Sequence, residues 1–445
     1  MLKVGKIIFC LFFFSVYLNA NAITLDEALI NAYRTNPELN AQRESLKASD
    51  ESIMQALAGW LPSVKLQSTK QYNNITSPAN KKGATDGSMH QLTITQNLFK
   101  SGADLANMKK AKLMIEAARA KLNNTEQEIF LKTIKLYMGT LEAKEKFRIS
   151  QEKVKESTEL LRGTRHRFKA GDATKTDVYL AEAEFSKAKA ERSSADRNYK
   201  ISQANFKAIV GLTPKNLTLP KDNIRLPKSV EDTINISLVK NPTLVSSKNS
   251  ADAKQKEIAV TRSGVLPSIN LEHSISDKTK IGFEPAGGRR NHTTAISLNV
   301  PIFEVSNWST LRRSKREAAA AQNEMTSAIE ATKATAIKSW VDLKADKDSL
   351  KARRDEHKAY KIAFKGAQAQ EKAGLMSTFD VIKVQDNYFT SYLNFISQRS
   401  AYYVSLYELK SMVGECTAKG LGLKVEYYDP LKNYNSIKWQ LIGAF

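Results

Sequence analysis

The sequence predicts a mixed α/β membrane protein: long antiparallel α-helices in a coiled-coil barrel, joined to a transmembrane β-barrel built from four strands per chain in a trimer. Three observations predict it. The chain opens with an export signal and has no later membrane-spanning apolar run, nearly all of it is internally duplicated, and very long proline-free heptad segments alternate with short segments of period two.

At the N-terminus, Lys3 and Lys6 precede an apolar run from Ile7 to Leu18 and a small-residue site, Ala20-Asn21-Ala22. That is the pattern of a secretory signal over 1–22, with the exported chain beginning near Ile23. The run is too short to cross a bilayer as a helix, which takes roughly 20 residues. Cys10 lies inside the signal, too far from the cleavage site to carry a lipid, so the exported chain keeps only Cys416 and forms no internal disulfide. The net charge of +22 comes from Lys and Arg spread along helical patterns, with no aromatic-basic module for nucleic acid.

The duplication shows as recurring short strings. Asn36-Pro37 returns as Asn241-Pro242, and Gly59-Trp60-Leu61-Pro62-Ser63 returns as Gly264-Val265-Leu266-Pro267-Ser268 at the same separation. That separation shortens by one residue at Leu98-Phe99 against Ile302-Phe303. It shortens by one more at Ala170-Gly171 against Ala373-Gly374, and stays there through Asp177-Val178 against Asp380-Val381 and Gly211 against Gly414. The first repeat spans 23–230, with a strand pair at 62–99 and a long helical hairpin at 101–211. The second spans 231–414, with a strand pair at 267–303 and a hairpin at 305–414, and a tail covers 415–445.

Each repeat reads in one order. Thr24-Leu25-Asp26-Glu27 is a capping box at a helix start. The Asn-Pro pairs interrupt the helical pattern, because the residue before proline is pushed out of the α region, and a second helix runs to Gly59 or Gly264. No proline occurs between Pro78 and Pro214 or between Pro301 and Pro430. There Ile115, Leu122, Ile129, Leu136 and Ala143 make one heptad stripe, and Val381, Tyr388, Phe395, Tyr402 and Leu409 another, with Val178, Phe185, Tyr199 and Phe206 as its repeat partner and Arg192 breaking that series. These are packing seams. A helix from Ser101 to about Lys169 is roughly 100 Å long at 1.5 Å per residue, so the helices must lie side by side in an elongated bundle.

Between the helical segments the period changes to two: Val64 and Leu66, then Leu92 and Ile94, and in the second copy Ile269, Leu271 and Ile275, then Thr294, Ile296, Leu298, Val300 and Ile302. Strands are expected over Pro62 to Thr76 and Met89 to Phe99, with exposed loops at Ser77–Ser88 and Gly282–Asn291. Strands in lipid must have every edge paired, so four strands from one chain cannot stand alone there. Three chains supply twelve strands, enough for a water-filled lumen, whereas two supply eight, whose interior side chains fill.

At the hairpin turns, Gly171 and Gly374 let the chain leave a helix through a left-handed conformation. Thr174 and Ser377 are placed to cap the next helices, with Asp177 and Asp380 in the first turns, where carboxylates suit the helix dipole. The turns read Arg167-Phe168-Lys169-Ala170-Gly171-Asp172-Ala173-Thr174-Lys175-Thr176-Asp177-Val178 and Ala373-Gly374-Leu375-Met376-Ser377-Thr378-Phe379-Asp380-Val381.

These turns, Thr24-Leu25-Asp26-Glu27-Ala28-Leu29 followed by Asn36-Pro37, and the Leu-Pro-Ser entries at 61 and 266 resemble the TolC family of outer-membrane efflux proteins over nearly the whole exported chain. The resemblance implies a homotrimer with its barrel among outer-membrane lipids and its helical tunnel and tail in the periplasm. The role it implies is that of exit duct in a tripartite efflux or type I secretion system. The partners it implies are a periplasmic adaptor (membrane fusion protein) and an inner-membrane transporter, and no nucleic acid, cofactor, metal or catalytic residue is expected. The implied adaptor contacts are Ala170, Gly171, Val178, Ala373, Gly374 and Val381. The implied periplasmic aperture is ringed by Asp177 and Asp380. Lys383 stands a turn after Asp380, where a second acid is expected, and Glu371 and Met376 replace the Tyr and Arg that help latch some relatives shut.

Two rival classes fit less well. The five histidines show no metal-ligand spacing, and no phosphate loop, serine elbow or Cys416-centred constellation supports an enzyme. A periplasmic coiled-coil adaptor or scaffold has one helical hairpin flanked by β domains, whereas this chain has two hairpins and two strand pairs.

Overall fold

The computed structural model describes residues 23–76, 82–220, 225–279 and 289–443. The signal at 1–22 and the loop segments 77–81 and 282–288 expected from the sequence lie outside the described residues. The first half contains α1 (Leu25–Thr35), α2 (Pro37–Asp50), α3 (Ser52–Leu57), β1 (Ser63–Thr76), β2 (Lys82–Phe99), α4 (Ala103–Ala170) and α5 (Lys175–Val210). The second contains α6 (Val230–Lys240), α7 (Pro242–Arg262), β3 (Ser268–Thr279), β4 (Arg289–Asn299), α8 (Val305–Lys372) and α9 (Thr378–Met412), followed by α10 (Lys432–Ile437). Both α4 and α8 have 68 residues. Among the described residues, no helix is long and apolar enough to cross a membrane.

Local chemistry explains the helix starts. The Thr24 amide donates to the Glu27 carboxylate at 3.0 Å and the Glu27 amide to the Thr24 hydroxyl at 3.3 Å, closing the expected box. The Asn-Pro pairs do more than interrupt. Asn36 and Asn241 are extended N-caps whose side-chain oxygens accept the amides two and three residues on, with Pro37 and Pro242 at the first helical position. The single helix expected up to Gly59 is split at Glu51 and ends in a 3-10 turn over Ala58–Trp60. The split follows Asp50, whose buried carboxylate accepts from Asn433 at 2.9 Å.

Two compact units result, each drawing on both halves of the duplication. One comprises Met1–Arg34, Thr133–Ile224 and Ser349–Tyr403; the other comprises Thr35–Lys132, Arg225–Asp348 and Val404–Phe445.

The second unit holds one antiparallel sheet in the order β1-β2-β3-β4. Register aligns Val64 with Ile94 and Leu66 with Leu92, then Leu92 with Ile275, Leu271 with Ile296 and Ile269 with Leu298. All these side chains share one face, because alternate residues point the same way. The other face carries Lys65, Gln67, Gln91, Thr93, Ser274, Ser276, Asn291 and Thr293. Val64, Leu66, Ile296 and Leu298 are 65–73% exposed. β2 begins at Lys82, so residues 82–88, expected in a loop, pair with β1 instead. The sequence there lacks apolar residues at period two, and a backbone ladder needs none.

In the first unit the buried line of α9 runs through Val381, Phe389, Ile396 and Tyr403, while Tyr388, Phe395 and Tyr402 of the expected stripe are half-buried. Val381 and Leu409, the two ends of that stripe, are 1% and 0% exposed. The half-buried aromatics make a second seam against α8. His357 stacks on Tyr392 with centroids 4.2 Å apart, and Phe364 stacks on Tyr388 at 5.3 Å. Burial, with the charge of Lys361, holds the His357 imidazole below its ordinary pKa. Elsewhere in this unit Tyr137, fully buried, places its hydroxyl 2.7 Å from the Thr218 carbonyl and 2.8 Å from that of Ile23, pinning both segments.

Candidate functional site: the hairpin tips

Each tip is built from a helix end, a left-handed glycine and a capped helix start, all within the first unit. α4 ends as Gly171 turns to φ +88° and the Asp172 amide reaches the Arg167 carbonyl at 2.8 Å. α8 ends as Gly374 turns to φ +70° and the Leu375 amide reaches the Gln370 carbonyl at 2.9 Å. Both turns satisfy carbonyls left over at a helix C-terminus. A Cβ at either glycine would meet nothing within 4 Å, so it is the backbone conformation that asks for glycine.

The following helices begin with reciprocal caps. The Thr174 hydroxyl accepts the Asp177 amide at 3.1 Å, and the Asp177 carboxylate accepts the Thr174 hydroxyl at 2.7 Å and its amide at 2.9 Å. Those bonds from Thr174 hold the Asp177 carboxyl below the usual carboxylate range. At the second tip Ser377 accepts the Asp380 amide at 3.1 Å and donates to its carboxylate at 2.6 Å. Both acids therefore start helices, whatever else they do.

Ala170, Gly171, Ala373, Gly374, Asp380 and Lys383 are exposed, while Asp177 and Val178 are half-buried. Val381 is different. It is 1% exposed, packed with Leu160, Leu161, Ala181 and Ala367, so its side chain holds the tip together from beneath the surface.

The tie between the two hairpins belongs to no local sequence motif. Arg167, in the last turn of α4, donates to the Glu371 carboxylate, to the Glu371 carbonyl at 3.1 Å and to the Thr378 hydroxyl at 3.4 Å. One guanidinium thus clamps the end of α8 and the start of α9. A signal existed: Glu371 puts a negative charge at a helix C-terminus, where the dipole opposes it, and so calls for a cation nearby.

A second tie lies further along the same helices. Lys153 of α4 sits 2.9 Å from Asp386 of α9 and 3.0 Å and 3.1 Å from Glu191 and Glu184 of α5, while Lys187 bonds Asp386 at 2.7 Å. Lys153 and Glu184 are both buried. Burial pulls the ammonium's pKa down, but the bonds to Asp386 and Glu191 and the charge of Glu184 outweigh it and raise the pKa. For Asp386, burial is likewise outweighed by Lys187 and Lys153, and its carboxyl lies below the ordinary value.

Comparison with known proteins agrees with this architecture. The family described as "Outer membrane efflux protein" matches residues 28–212 and 233–415, one stretch in each repeat. Outer membrane efflux protein BepC of Brucella suis biovar 1 (strain 1330) is 26% identical over 427 residues, covering 94% of this chain and 91% of its own length. Outer membrane protein TolC of Escherichia coli (strain K12) is 22% identical over 425 residues, 90% of this chain and 85% of that protein. The Campylobacter jejuni CmeC outer membrane channel superposes with a TM-score of 0.80 at 15% identity, covering 94% of this chain and 90% of that one. With both halves of its duplication matched by one family and its fold that of such a channel, the chain belongs to the outer membrane efflux protein family.

Proposed function

We propose that three copies of this chain close one twelve-stranded barrel in the outer membrane and continue as a helical tunnel in the periplasm, forming a passive exit duct. A periplasmic adaptor meets the tips, and an inner-membrane transporter supplies the energy. The observation that carries this reading is the sheet. It has one apolar face fit for lipid, one polar face fit for a water-filled lumen, and β1 and β4 at its two edges. Edges in lipid must be paired, and neighbouring copies supply the pairs.

The tips serve as the gate. Asp177 and Asp380, each present three times, ring the aperture, and Lys383 offsets part of that charge. Within each chain the Arg167–Glu371 clamp holds the α8–α9 hairpin against the α4–α5 hairpin. Ala170, Gly171, Val178, Ala373 and Gly374 shape the surface offered to the adaptor, with Val381 supporting it from beneath.

Purified protein in a planar bilayer tests the gate. The wild type is expected to conduct weakly, and Arg167→Ala to raise single-channel conductance about threefold or more, because the cation that neutralises Glu371 is gone. Equal conductance in the two proteins would remove Arg167 from the gate. No conductance from either would contradict the duct itself.

A further inference from the structure

The polar face of the sheet contains a charge arrangement that sheet stability does not explain. Lys278 of β3 and Arg289 of β4 are direct cross-strand partners, so two cations stand side by side on one face. Like charges directly opposite one another destabilise a strand pair. Arg290 and Asp277, the next pair on these strands, lie on the other face and form a salt bridge at 3.4 Å. Lys278 and Arg289 have no salt bridge among the described residues. Their row continues with Met89 and Thr69, and the next row holds Gln67, Gln91, Ser276 and Asn291, all uncharged. Among the described strand residues the only acid on this face is Glu272, six residues along β3 from Lys278. In the sequence joining the two strands, Glu284 is matched by Lys280.

We propose that Lys278 and Arg289 form an anion-binding ring inside the barrel, at the end of the strands remote from the helices, which holds multivalent anions such as polyphosphates. This rests on the trimeric barrel proposed above. Threefold symmetry puts the three pairs at one height, giving six cations around a single lumen. Rings of Arg and Lys are how pores select anions and phosphates. The Debye length is about 8 Å at physiological ionic strength, so a multivalent anion in the lumen interacts with several of these charges at once, and more strongly at low salt.

The test is block of single-channel current by tripolyphosphate, added to one side of the bilayer at a time in low salt. Block from one side only is expected in the wild type. The double variant Lys278→Gln with Arg289→Gln should need about tenfold more tripolyphosphate, while Lys278→Arg with Arg289→Lys and the opposite-face Arg290→Gln should block like the wild type. Equal block in the Gln double variant, no block in a conducting wild type, or equal loss in Arg290→Gln would overturn the ring. A wild type that forms no channel would overturn the barrel reading and the ring with it.

Discussion

Lys153→Met is expected to loosen the junction of α4, α5 and α9 by about 3 kcal/mol, because removing one partner of a buried ion pair typically costs about 3–5 kcal/mol. The lower end applies, since Glu191 and Asp386 are 44% and 34% exposed and water screens them, whereas Glu184 is only 6% exposed and is left with Lys187 at 3.4 Å. Hydrogen exchange is the readout. Amides around Glu184 and Asp386 should exchange roughly 100-fold faster, since 1.4 kcal/mol is a factor of ten. Adding Glu184→Met should restore much of the protection, because an apolar pair can replace a buried ion pair at little cost. Unchanged exchange in Lys153→Met would show the network to be ornamental.

The same network fixes a pH dependence. Asp386 has a folded pKa below its ordinary value, so its contribution is present at neutral pH, above the unfolded carboxyl pKa, and is lost as pH falls through the folded one. Lys153 has a raised pKa, so its contribution persists throughout the neutral and acid range and disappears only in strong alkali. Acid, not mild base, should therefore loosen this junction.

The second large effect concerns the sheet. Ile296→Arg places a charge on the apolar face and should cost about 2–4 kcal/mol per copy if that face meets lipid near the bilayer centre. Its neighbour Ser297 points to the polar face, so Ser297→Arg should assemble normally. Heat-resistant trimer on a gel distinguishes them: Ile296→Arg should lose it at a lower temperature than Ser297→Arg. The reverse order would put the apolar face inside.

What was legible in the sequence follows a physical rule. Features set by a few adjacent residues could be read directly: the Thr24–Glu27 box, the left-handed Gly171 and Gly374, and the Thr174 and Ser377 caps, all of which the structure contains. The duplication was legible because identical turns need identical residues. Features that join distant segments were not. Lys153, Glu184 and Asp386 each look like part of a solvated helix face until three helices bring them together. Val381 sits beside exposed tip residues in sequence, but helical geometry turns its side chain into the core with Leu160 and Leu161. The start of β2 escaped because Lys82 to Ser88 offers no apolar alternation, and within α9 the spacing alone does not tell which of two adjacent aromatics, Tyr388 or Phe389, turns inward.

The central claim is that one chain supplies a third of a closed barrel. Native mass spectrometry of the detergent-solubilised protein measures this most directly. A particle of three chains that survives detergent exchange, with its strands protected from protease, is expected. A monomer or dimer with cleavable strands would contradict it, because the unpaired edges of β1 and β4 would then have no partners.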